Sequence, residues 1–465
     1  MMNELTINLE AASGQPLYEQ IYEYLKIEIQ RGNISLEEKL PSTRALANHL
    51  QVSRSTIDLA YEQLVAEGYI HAVPCKGYFV NRIEGLCYME TRKKQYEEKR
   101  VPKEEACFVD FKTTGIDLDS FPHNTWRKLS KDVLLDYEQE LFHRGEAKGE
   151  WSFRNTICNY LYQSRGVECE PEQVIIGAGS EYLLFLLSRI LGKRDVAMES
   201  PTHKQAYHVL QSLEQTIHMV PVDEEGICVE KLEESLADVV YVMPSHQFPL
   251  GILMPLKRRM ELLAWATKKK ERYIIEDDYD SEFRYRGKPI PALQGYDRND
   301  KVIYLGTFSK SIAPALRISY MVLPKKLLPV FDKTCSMYTS TVSRIDQMIV
   351  NEFICRGYYE RHLNKMRAIY KGKRDALIAG LKPLKHIVEM KGENAGVHMM
   401  LKILNGKTEE EMIALAKTKG INLYGISQYY ISKEAAKDAG LILGYANVKE
   451  ENIATACRKL LEIWS

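Results

Sequence analysis

The sequence predicts a multidomain protein in which a small α+β domain precedes a large α/β domain. Two patterns along the chain support this: three helical patterns and two short strands within residues 14–80, then apolar strands alternating with amphipathic helices from about residue 108 onward. The second pattern is typical of a mostly parallel sheet covered by helices on both faces. At 465 residues, the chain is long enough for two or three domains.

The composition is that of a globular protein with a large core, with 45% hydrophobic and 27% charged residues. The formal net charge is zero, so bulk electrostatics indicates no polyanionic partner. The nine cysteines are scattered and include no C-x-x-C, which argues against a disulfide framework and a zinc site. The sequence shows no amino-terminal signal and no apolar run of roughly 18 residues, the minimum for a spanning helix. We expect a cytoplasmic protein with reduced thiols and no membrane partner.

The first domain, residues 14–80, contains three predicted helices and a hairpin. Apolar residues recur at helical spacing in "PLYEQIYEYLKIEIQRG". Ser42 is a plausible N-cap for a short second helix, "PSTRALANHL", and Ser53 for a third, "VSRSTIDLAYEQLVAEGYI". The stretch "YIHAVPCKGYFV" then predicts two strands around a turn. Two short helices joined by a turn and followed by a β-wing make a winged helix-turn-helix.

The third helix is the predicted recognition helix, whose first residues meet base edges in the major groove. Arg54 is suited to guanine, while Ser55 and Thr56 offer hydroxyls to a base or a phosphate. Arg44 and Lys76, on the second helix and in the wing, are placed for phosphates. Residues 1–82 hold seven Lys and Arg against ten Asp and Glu, a net charge of −3, so the domain is not basic overall. Winged three-helix units also bind proteins, and the architecture alone leaves that alternative open.

A charged linker is predicted at residues 81–107. Its stretch "ETRKKQYEEKRVPKEE" has 11 charged residues of 16 with both signs mixed, which excludes a packed core. The remaining residues, 108–465, form the predicted α/β domain, with a smaller α+β lobe from about 325 to 465.

One lysine in this domain has the surroundings of a covalent catalyst. Lys310 follows an apolar strand in "YLGTFSKSIAPALRISY". A pyridoxal phosphate site needs such an amine together with a carboxylate for the ring nitrogen and a phosphate cradle. Asp277, at a strand end in "YIIEDDYDSEF", is the candidate carboxylate, and Tyr279 is placed to donate to the ring oxygen. Acidic clusters can also bind metals, but no histidine accompanies this one at ligand spacing, so no metal is predicted.

The candidate cradle is "GAGSEYLLFLL", where a glycine turn leads from a strand into a helix. The amides of Gly179, Ser180 and Glu181 would face an anion, with the helix dipole behind them. Thr307 and Arg317 add a hydroxyl and a guanidinium from the segment of the lysine.

These motifs carry a resemblance to a known family. "LPSTRALANHLQVSRSTIDLAYEQLVAEGYI…KGYFV" resembles the DNA-binding domain of GntR regulators. "RGVECEPEQVIIGAGSE", "MPSHQFPLG", "IIEDDYDSEFRY", "GTFSKSIAPALRISY" and "GYYERHLNKMRAIY" are similar to fold-type I aminotransferases. The whole chain is similar to the MocR/GabR-type branch of GntR regulators, where a winged helix is fused to an aminotransferase-like domain.

The resemblance implies a role for each candidate residue. It makes Lys310 the Schiff-base lysine of pyridoxal 5′-phosphate, with Asp277 on the pyridine nitrogen and Tyr279 on the ring oxygen. It places Ser180, Glu181, Thr307 and Arg317 around the phosphate, and Gln247 near the ring oxygen. It implies DNA contacts for Arg44, Arg54, Ser55, Thr56 and Lys76. A homodimer is also implied, because fold-type I sites are completed across a two-fold axis.

The sequence departs from the branch at positions that bear on function. His203 stands where an aromatic ring commonly stacks on the cofactor. Gln205 and Gln428 occupy the positions where arginines generally grip a substrate carboxylate, and a neutral amide gives up most of that charge-assisted bond.

We therefore expect a cytoplasmic bacterial transcription regulator that binds operator DNA as a homodimer, with the aminotransferase-like domain as effector sensor and dimer frame. The effector is pyridoxal phosphate itself, as a report of vitamin B6 status, or an amine or amino acid. The alternative is a working aminotransferase with an appended DNA-binding domain. The sequence does not decide whether the protein activates or represses transcription. It also leaves open the operator sequence and the arrangement of the two DNA-binding domains in the dimer.

Overall fold

The computed structural model describes residues 7, 9, 14–82, 107–137, 139–285, 290–432 and 439–465. The chain divides into two compact units, residues 1–102 and 103–465. Of the predicted linker, residues 83–106 lie outside the described residues. Within the described part of the chain, no helix is long and apolar enough to cross a membrane.

The first unit contains the predicted three helices and hairpin. Its elements are α1 (Leu17–Gln30), α2 (Thr43–Leu50), α3 (Arg54–Ala66), β1 (Ile70–Val73) and β2 (Gly77–Val80). Both predicted N-caps are confirmed, because Ser42 Oγ accepts from the Ala45 amide and Ser53 Oγ from the Thr56 amide, each at 3.2 Å. The strands β1 and β2 pair antiparallel, as a wing requires.

The core of this unit lies between the three helices and the wing. The inward faces of α1 and α3 supply its centre, as their helical spacing predicts. Its fully buried members include Ile21, Leu25, Ile57, Tyr61 and Leu64. The Tyr61 hydroxyl donates to the Pro41 carbonyl at 2.9 Å, which ties α3 to the start of α2.

The second unit is built on sheets covered by helices. Its helices are α4 (His123–Asp136), α5 (Trp151–Arg165), α6 (Ser180–Leu191), α7 (Lys204–Ser212), α8 (Val229–Glu234), α9 (Leu256–Thr267), α10 (Leu328–Thr334), α11 (Arg344–Cys355), α12 (Tyr358–Leu381), α13 (Glu409–Thr418) and α14 (Glu450–Trp464). Its strands are β3 (Val109–Asp110), β4 (Val174–Ala178), β5 (Asp195–Ser200), β6 (Thr216–Asp223), β7 (Gly226–Ile227), β8 (Val239–Val242), β9 (Tyr273–Asp278), β10 (Val302–Thr307), β11 (Ile318–Val322), β12 (Val388–Lys391), β13 (His398–Ile403), β14 (Ile421–Asn422), β15 (Tyr424–Gly425) and β16 (Gly440–Gly444).

The large sheet has eight strands in the order β4-β11-β10-β9-β8-β5-β6-β7. The central pairs β10–β9, β9–β8, β8–β5 and β5–β6 are parallel, whereas β11 runs antiparallel to both of its neighbours. The prediction of a mostly parallel sheet is confirmed. Apart from β6, whose residues are mostly half-buried or exposed, its strands are buried along most of their length, as in a sheet that helices cover on both faces.

A second sheet of four strands, β12-β13-β16-β15, lies in the carboxy-terminal part of the unit. Its pairs are antiparallel, and α12 and α14 pack against each other beside it. A short parallel pair, β14–β3, joins this part to the start of the unit.

The sheet order brings three strand ends to one edge. β4, β9 and β10 run in the same direction, because β11 is antiparallel to both β4 and β10. Their carboxyl ends, at Ala178, Asp278 and Thr307, therefore lie at the same edge of the sheet, where open α/β folds bind their ligands.

Candidate functional site

A cavity of about 310 Å³ lies at this edge of the large sheet. Nine of the ten residues predicted to bind the cofactor line it: Gly179, Ser180, Glu181, His203, Asp277, Tyr279, Thr307, Lys310 and Arg317. The tenth, Gln247, is not among the described residues that line it. The nine predicted residues that the cavity brings together span 138 positions of the chain, from Gly179 to Arg317.

Asp277 lies near the end of β9 and presents its carboxylate to the cavity. Burial raises the pKa of this carboxyl group to about 6, and the Tyr241 hydroxyl, which donates to Asp277 Oδ2, opposes that rise. Tyr241 lies on the neighbouring strand β8 and is 1% exposed. An acid held in this way is suited to an ion pair with a protonated ring nitrogen, since a cationic partner favours its charged form.

Tyr279, two residues after Asp277, lines the same wall. Its hydroxyl lies 3.1 Å from His246 Nδ1, and that nitrogen lies 3.0 Å from Asp280 Oδ2. Both His246 and Asp280 are buried. The pair holds the tyrosine hydroxyl in place at the cavity wall.

Lys310 lies in the turn after β10. Its Nζ donates to the Thr113 carbonyl at 2.5 Å. Burial lowers the pKa of the amine to about 8, although the charge of Asp280 acts in the opposite direction. A lower pKa increases the fraction of neutral amine near pH 7, and the neutral amine is the nucleophile that condenses with an aldehyde.

The cradle forms where β4 passes into α6. Gly179 has a φ of 89°, and a Cβ on it would lie 2.3 Å from Arg317 Nη2 and 2.6 Å from Glu181 Oε2. Only glycine fits this turn, and the first amides of α6 follow it directly. Arg317 approaches from the other side with a φ of 51° and forms an ion pair with Glu181 at 2.6 Å. Thr307 Oγ1 accepts from Ser319 Oγ at 3.0 Å beside them.

His203 lies at the cavity wall immediately before α7. Burial and then the charge of Lys310 lower the pKa of this imidazole to about 4, so the ring is neutral at pH 7. Its nearest aromatic neighbour, Phe248, meets it edge-to-face with ring centroids 5.7 Å apart. A neutral ring at this wall is compatible with stacking on an aromatic ligand.

Gln247 is held by hydrogen bonds behind the residues that line the cavity, and its predicted contact near the ring oxygen stays a prediction. The side chain is 1% exposed; its amide donates to the Pro201 carbonyl at 3.0 Å and accepts from the Leu250 amide at 3.1 Å. The next residue, Phe248, lines the cavity instead. These two hydrogen bonds hold the glutamine side chain within the "SHQFPLG" turn.

The two glutamines expected in place of arginines differ in position. Gln205 lines the cavity, whereas Gln428, in the short helical turn Ile426–Tyr429, is not among the described lining residues. Residues that sequence reasoning missed also line it, namely Thr113, Thr114, Met243, Phe248, Leu305, Gly306, Ser309, Ser319, Val397 and His398. Thr113 and His398 come from segments with no catalytic motif, so no local signal identifies them.

Two histidines lie beside the acidic cluster, contrary to the argument from ligand spacing. His246, Asp280 and His398 are buried and offer ligand atoms within 4.8 Å of one another. Their order in the chain hides this proximity, which arises because β13 places His398 against the turn after β8. Within this cluster of three side chains, His246 Nδ1 and Asp280 Oδ2 are already hydrogen-bonded to each other.

Four of the five predicted DNA-contacting residues are exposed on the first unit, and the fifth, Thr56, is half-buried. Arg54, Ser55 and Thr56 form the first turn of α3, and the Arg54 side chain is 69% exposed with an ion pair to Asp58 at 3.5 Å. Arg44, near the start of α2, and Lys76, in the turn between β1 and β2, are exposed. Ser53 Oγ lies 2.8 Å from Ser55 Oγ and 2.7 Å from Thr56 Oγ1, so the cap also orders the hydroxyls of this turn.

Two family models match the chain. The model described as aminotransferase class I and II matches residues 117–460, and the model described as bacterial regulatory proteins, gntR family, matches residues 17–80.

Relatives that match along nearly the whole chain are regulators. The chain is 41% identical to the uncharacterized HTH-type transcriptional regulator YdeL of Bacillus subtilis, with 99% of both chains covered. It is 30% identical to the probable rhizopine catabolism regulatory protein MocR of Rhizobium meliloti, over 97% of this chain and 94% of that protein. It is 29% identical to the HTH-type pyridoxine biosynthesis transcriptional regulator PdxR of Corynebacterium glutamicum, over 97% of each.

Solved structures similar to the second unit are aminotransferases. The kynurenine aminotransferase of Pyrococcus horikoshii is 26% identical with a TM-score of 0.68, covering 77% of this chain and 91% of that one. The multiple substrate aminotransferase of Thermococcus profundus is 25% identical with a TM-score of 0.69, covering 78% and 92%. The predicted aminotransferase fold is confirmed.

Proposed function

The chain belongs to the MocR-type GntR regulators of transcription, in which a helix-turn-helix domain precedes an aminotransferase-like domain, and from this membership we propose that pyridoxal phosphate is its effector. The cofactor binds in the cavity of the second unit, and its occupancy controls how the first unit binds double-stranded operator DNA. A ligand changes DNA binding in this way only if it binds one arrangement of the protein more tightly than the other.

One observation carries this proposal: a single cavity contains an amine of lowered pKa, a buried carboxylate and a glycine-lined anion cradle. When bound, pyridoxal phosphate supplies an aldehyde, a basic ring nitrogen and a phosphate. Lys310 takes the aldehyde, Asp277 holds the ring nitrogen and Tyr279 donates to the ring oxygen. The amides of Ser180 and Glu181, with Arg317 and Thr307, hold the phosphate.

The charges of the cavity support an effector rather than an amino-acid substrate. Among the described residues that line it, the cationic side chains are Lys310 and Arg317, and the proposed cofactor engages both. Gln205 faces the cavity as a neutral amide. A substrate carboxylate would therefore lack the charge-assisted hydrogen bonds that hold it during transamination.

We also propose that the regulator acts as a homodimer on two operator half-sites. The fold it shares with the aminotransferases supports a second copy of the chain as partner. The exposed first turn of α3, with Arg54 at its start, supports insertion into the major groove.

Absorption spectra of the purified protein test the cofactor site. After unbound pyridoxal phosphate has been removed, the wild-type protein should show a visible band that borohydride reduces to a stable adduct. Lys310→Ala should show neither band nor adduct. Lys257→Ala, at a lysine of α9 whose side chain is 80% exposed, is the matched control and should behave as wild type. A Lys310→Ala protein that retains the reducible band would refute the assignment.

DNA binding tests the regulatory part. A duplex selected by the protein from a random-sequence pool serves as the operator, and fluorescence anisotropy reports its affinity with and without pyridoxal phosphate. We expect the cofactor to change the affinity for the wild type but not for Lys310→Ala. If the affinity of the wild type for the duplex is the same with and without pyridoxal phosphate, pyridoxal phosphate is excluded as the effector.

The similarity to aminotransferase structures favours one second candidate, a working aminotransferase. A screen of amino donors with a 2-oxo acid acceptor distinguishes the two. Sustained turnover in the ordinary enzyme range, on the order of 1–1000 s⁻¹, would support the enzyme. We expect at most a partial half-reaction, because Gln205 is neutral.

A further inference from the structure

The phosphate cradle contains a carboxylate of its own. Glu181 is the second residue of α6 and lines the cavity, and its Oε2 accepts from Arg317 Nη2 at 2.6 Å. Both atoms lie against the turn at Gly179, within 2.6 Å of where a Cβ on that glycine would be. The ion pair therefore lies directly on the backbone that forms the cradle.

This carboxylate opposes a phosphate ester in two ways. A phosphate monoester carries about −1.5 to −2 charges at pH 7, so Glu181 repels it. The carboxylate also engages Arg317, the guanidinium that the phosphate needs. Lys310, the other cation among the described lining residues, donates to the Thr113 carbonyl and serves the aldehyde. Like charges a few ångströms apart change a binding constant by about tenfold or more at a protein surface.

We propose that Glu181 lowers the affinity of the cavity for phosphorylated ligands, so that occupancy follows the free concentration of the ligand. This inference rests on the proposed function, because it takes pyridoxal phosphate as the effector. An enzyme works best when its phosphate site binds the cofactor so tightly that the cofactor is not released between turnovers. A sensor gives a graded response only when its dissociation constant is close to the concentration that it reports, and a weakened cradle meets that requirement.

The test compares two ligands on three proteins. Glu181→Gln keeps the length of the side chain and can still hydrogen-bond Arg317, but it removes the charge. Titration with pyridoxal phosphate, followed by the visible absorption band, should show about tenfold or tighter binding by the variant than by the wild type. Pyridoxal, which lacks the phosphate, should bind the two proteins equally. Glu410→Gln is the matched control, because this exposed glutamate also lies in the first turn of a helix, α13, but outside the described cavity lining.

Each other outcome has a distinct meaning. Equal or weaker binding of pyridoxal phosphate by Glu181→Gln would overturn the inference and show that the carboxylate orients Arg317 for the phosphate. Tighter binding of both ligands would also overturn it, because the charge would then act on the ring or the amine. A wild type that binds neither ligand would refute the proposed function itself, so the two failures are separated within one experiment.

Discussion

Replacing Tyr241 by phenylalanine should make cofactor binding depend on pH in a way that the wild type does not. The Tyr241 hydroxyl donates to Asp277, and this bond lowers the pKa of a carboxyl group that burial raises to about 6. Phenylalanine keeps the buried ring of Tyr241, which is 1% exposed, and removes only the donor. The pKa of Asp277 should therefore rise further in the variant.

The size of the effect follows from the lost hydrogen bond. A hydrogen bond to a charged group contributes about 1.5–3 kcal/mol, which corresponds to about one to two pKa units. In the proposed site, Asp277 would hold the ring nitrogen only in its ionised form, so protonation of Asp277 should weaken binding as the pH falls through its pKa. With a rise of about 1.5 units, the variant should bind pyridoxal phosphate about 16-fold more weakly than the wild type at pH 6, about fourfold at pH 7 and almost equally at pH 8.5.

The assay is the absorbance titration repeated from pH 6 to pH 8.5. Protonation of the cofactor's own groups affects the wild type and the variant equally, so it cancels in the ratio of their dissociation constants. The ratio therefore reports only the protonation of Asp277. Tyr162→Phe, at a tyrosine that is 64% exposed, is the matched control and should give a ratio of one throughout. A Tyr241→Phe ratio that is constant with pH would refute the link between this hydroxyl and the charge of Asp277.

Three further substitutions test the cradle, the helical core and the DNA-binding face. Gly179→Ala should abolish pyridoxal phosphate binding, because its Cβ would lie 2.3 Å from Arg317 Nη2, and should also lower the thermal melting temperature, because a φ of 89° strains alanine; retained affinity would contradict the cradle. Leu64→Ala, at a fully buried position, should lower the unfolding free energy of the first unit by about 2–5 kcal/mol in urea denaturation, and a negligible loss would contradict its burial. Arg54→Ala should cost about 1–3 kcal/mol of operator affinity and relax base preference in anisotropy measurements, whereas an effect uniform across sequences would reassign Arg54 to a phosphate.

The sequence predicted the residues at strand ends well, for a physical reason. Side chains alternate across a strand, so Asp277 points to one face of β9, while Glu276 and Asp278 point to the other. Tyr279, in the bend directly after β9, lines the same cavity as Asp277. The structure agrees: Glu276 accepts from the Leu293 and Gln294 amides, and Asp278 forms a buried ion pair with Arg165. The acidic run "EDDYD" thus contains a single acid that the strand period presents beside Tyr279.

Residues contributed by distant segments were beyond sequence reasoning. Tyr241 touches Asp277 because β8 lies beside β9, and nothing local to "VVYVM" specifies that order. His398 reaches the turn after β8 through the second sheet. The direction of the Gln247 side chain was also beyond sequence reasoning, because the residue lies in an irregular turn, where no strand alternation assigns neighbouring side chains to opposite faces. Strand periodicity predicts direction only inside a strand.

In the function proposed above, charges at the cavity wall distinguish a regulator from an enzyme in this fold. The backbone of the second unit superimposes on aminotransferases with TM-scores of 0.68 and 0.69, so the backbone alone does not distinguish the two functions. Lys310 and Asp277 would serve either. Gln205 is neutral and therefore offers no positive charge to a substrate carboxylate, and Glu181 places a negative charge beside the proposed phosphate site. If both features weaken retention of a ligand and leave its covalent capture by Lys310 intact, as proposed, the cavity is suited to a reversible sensor.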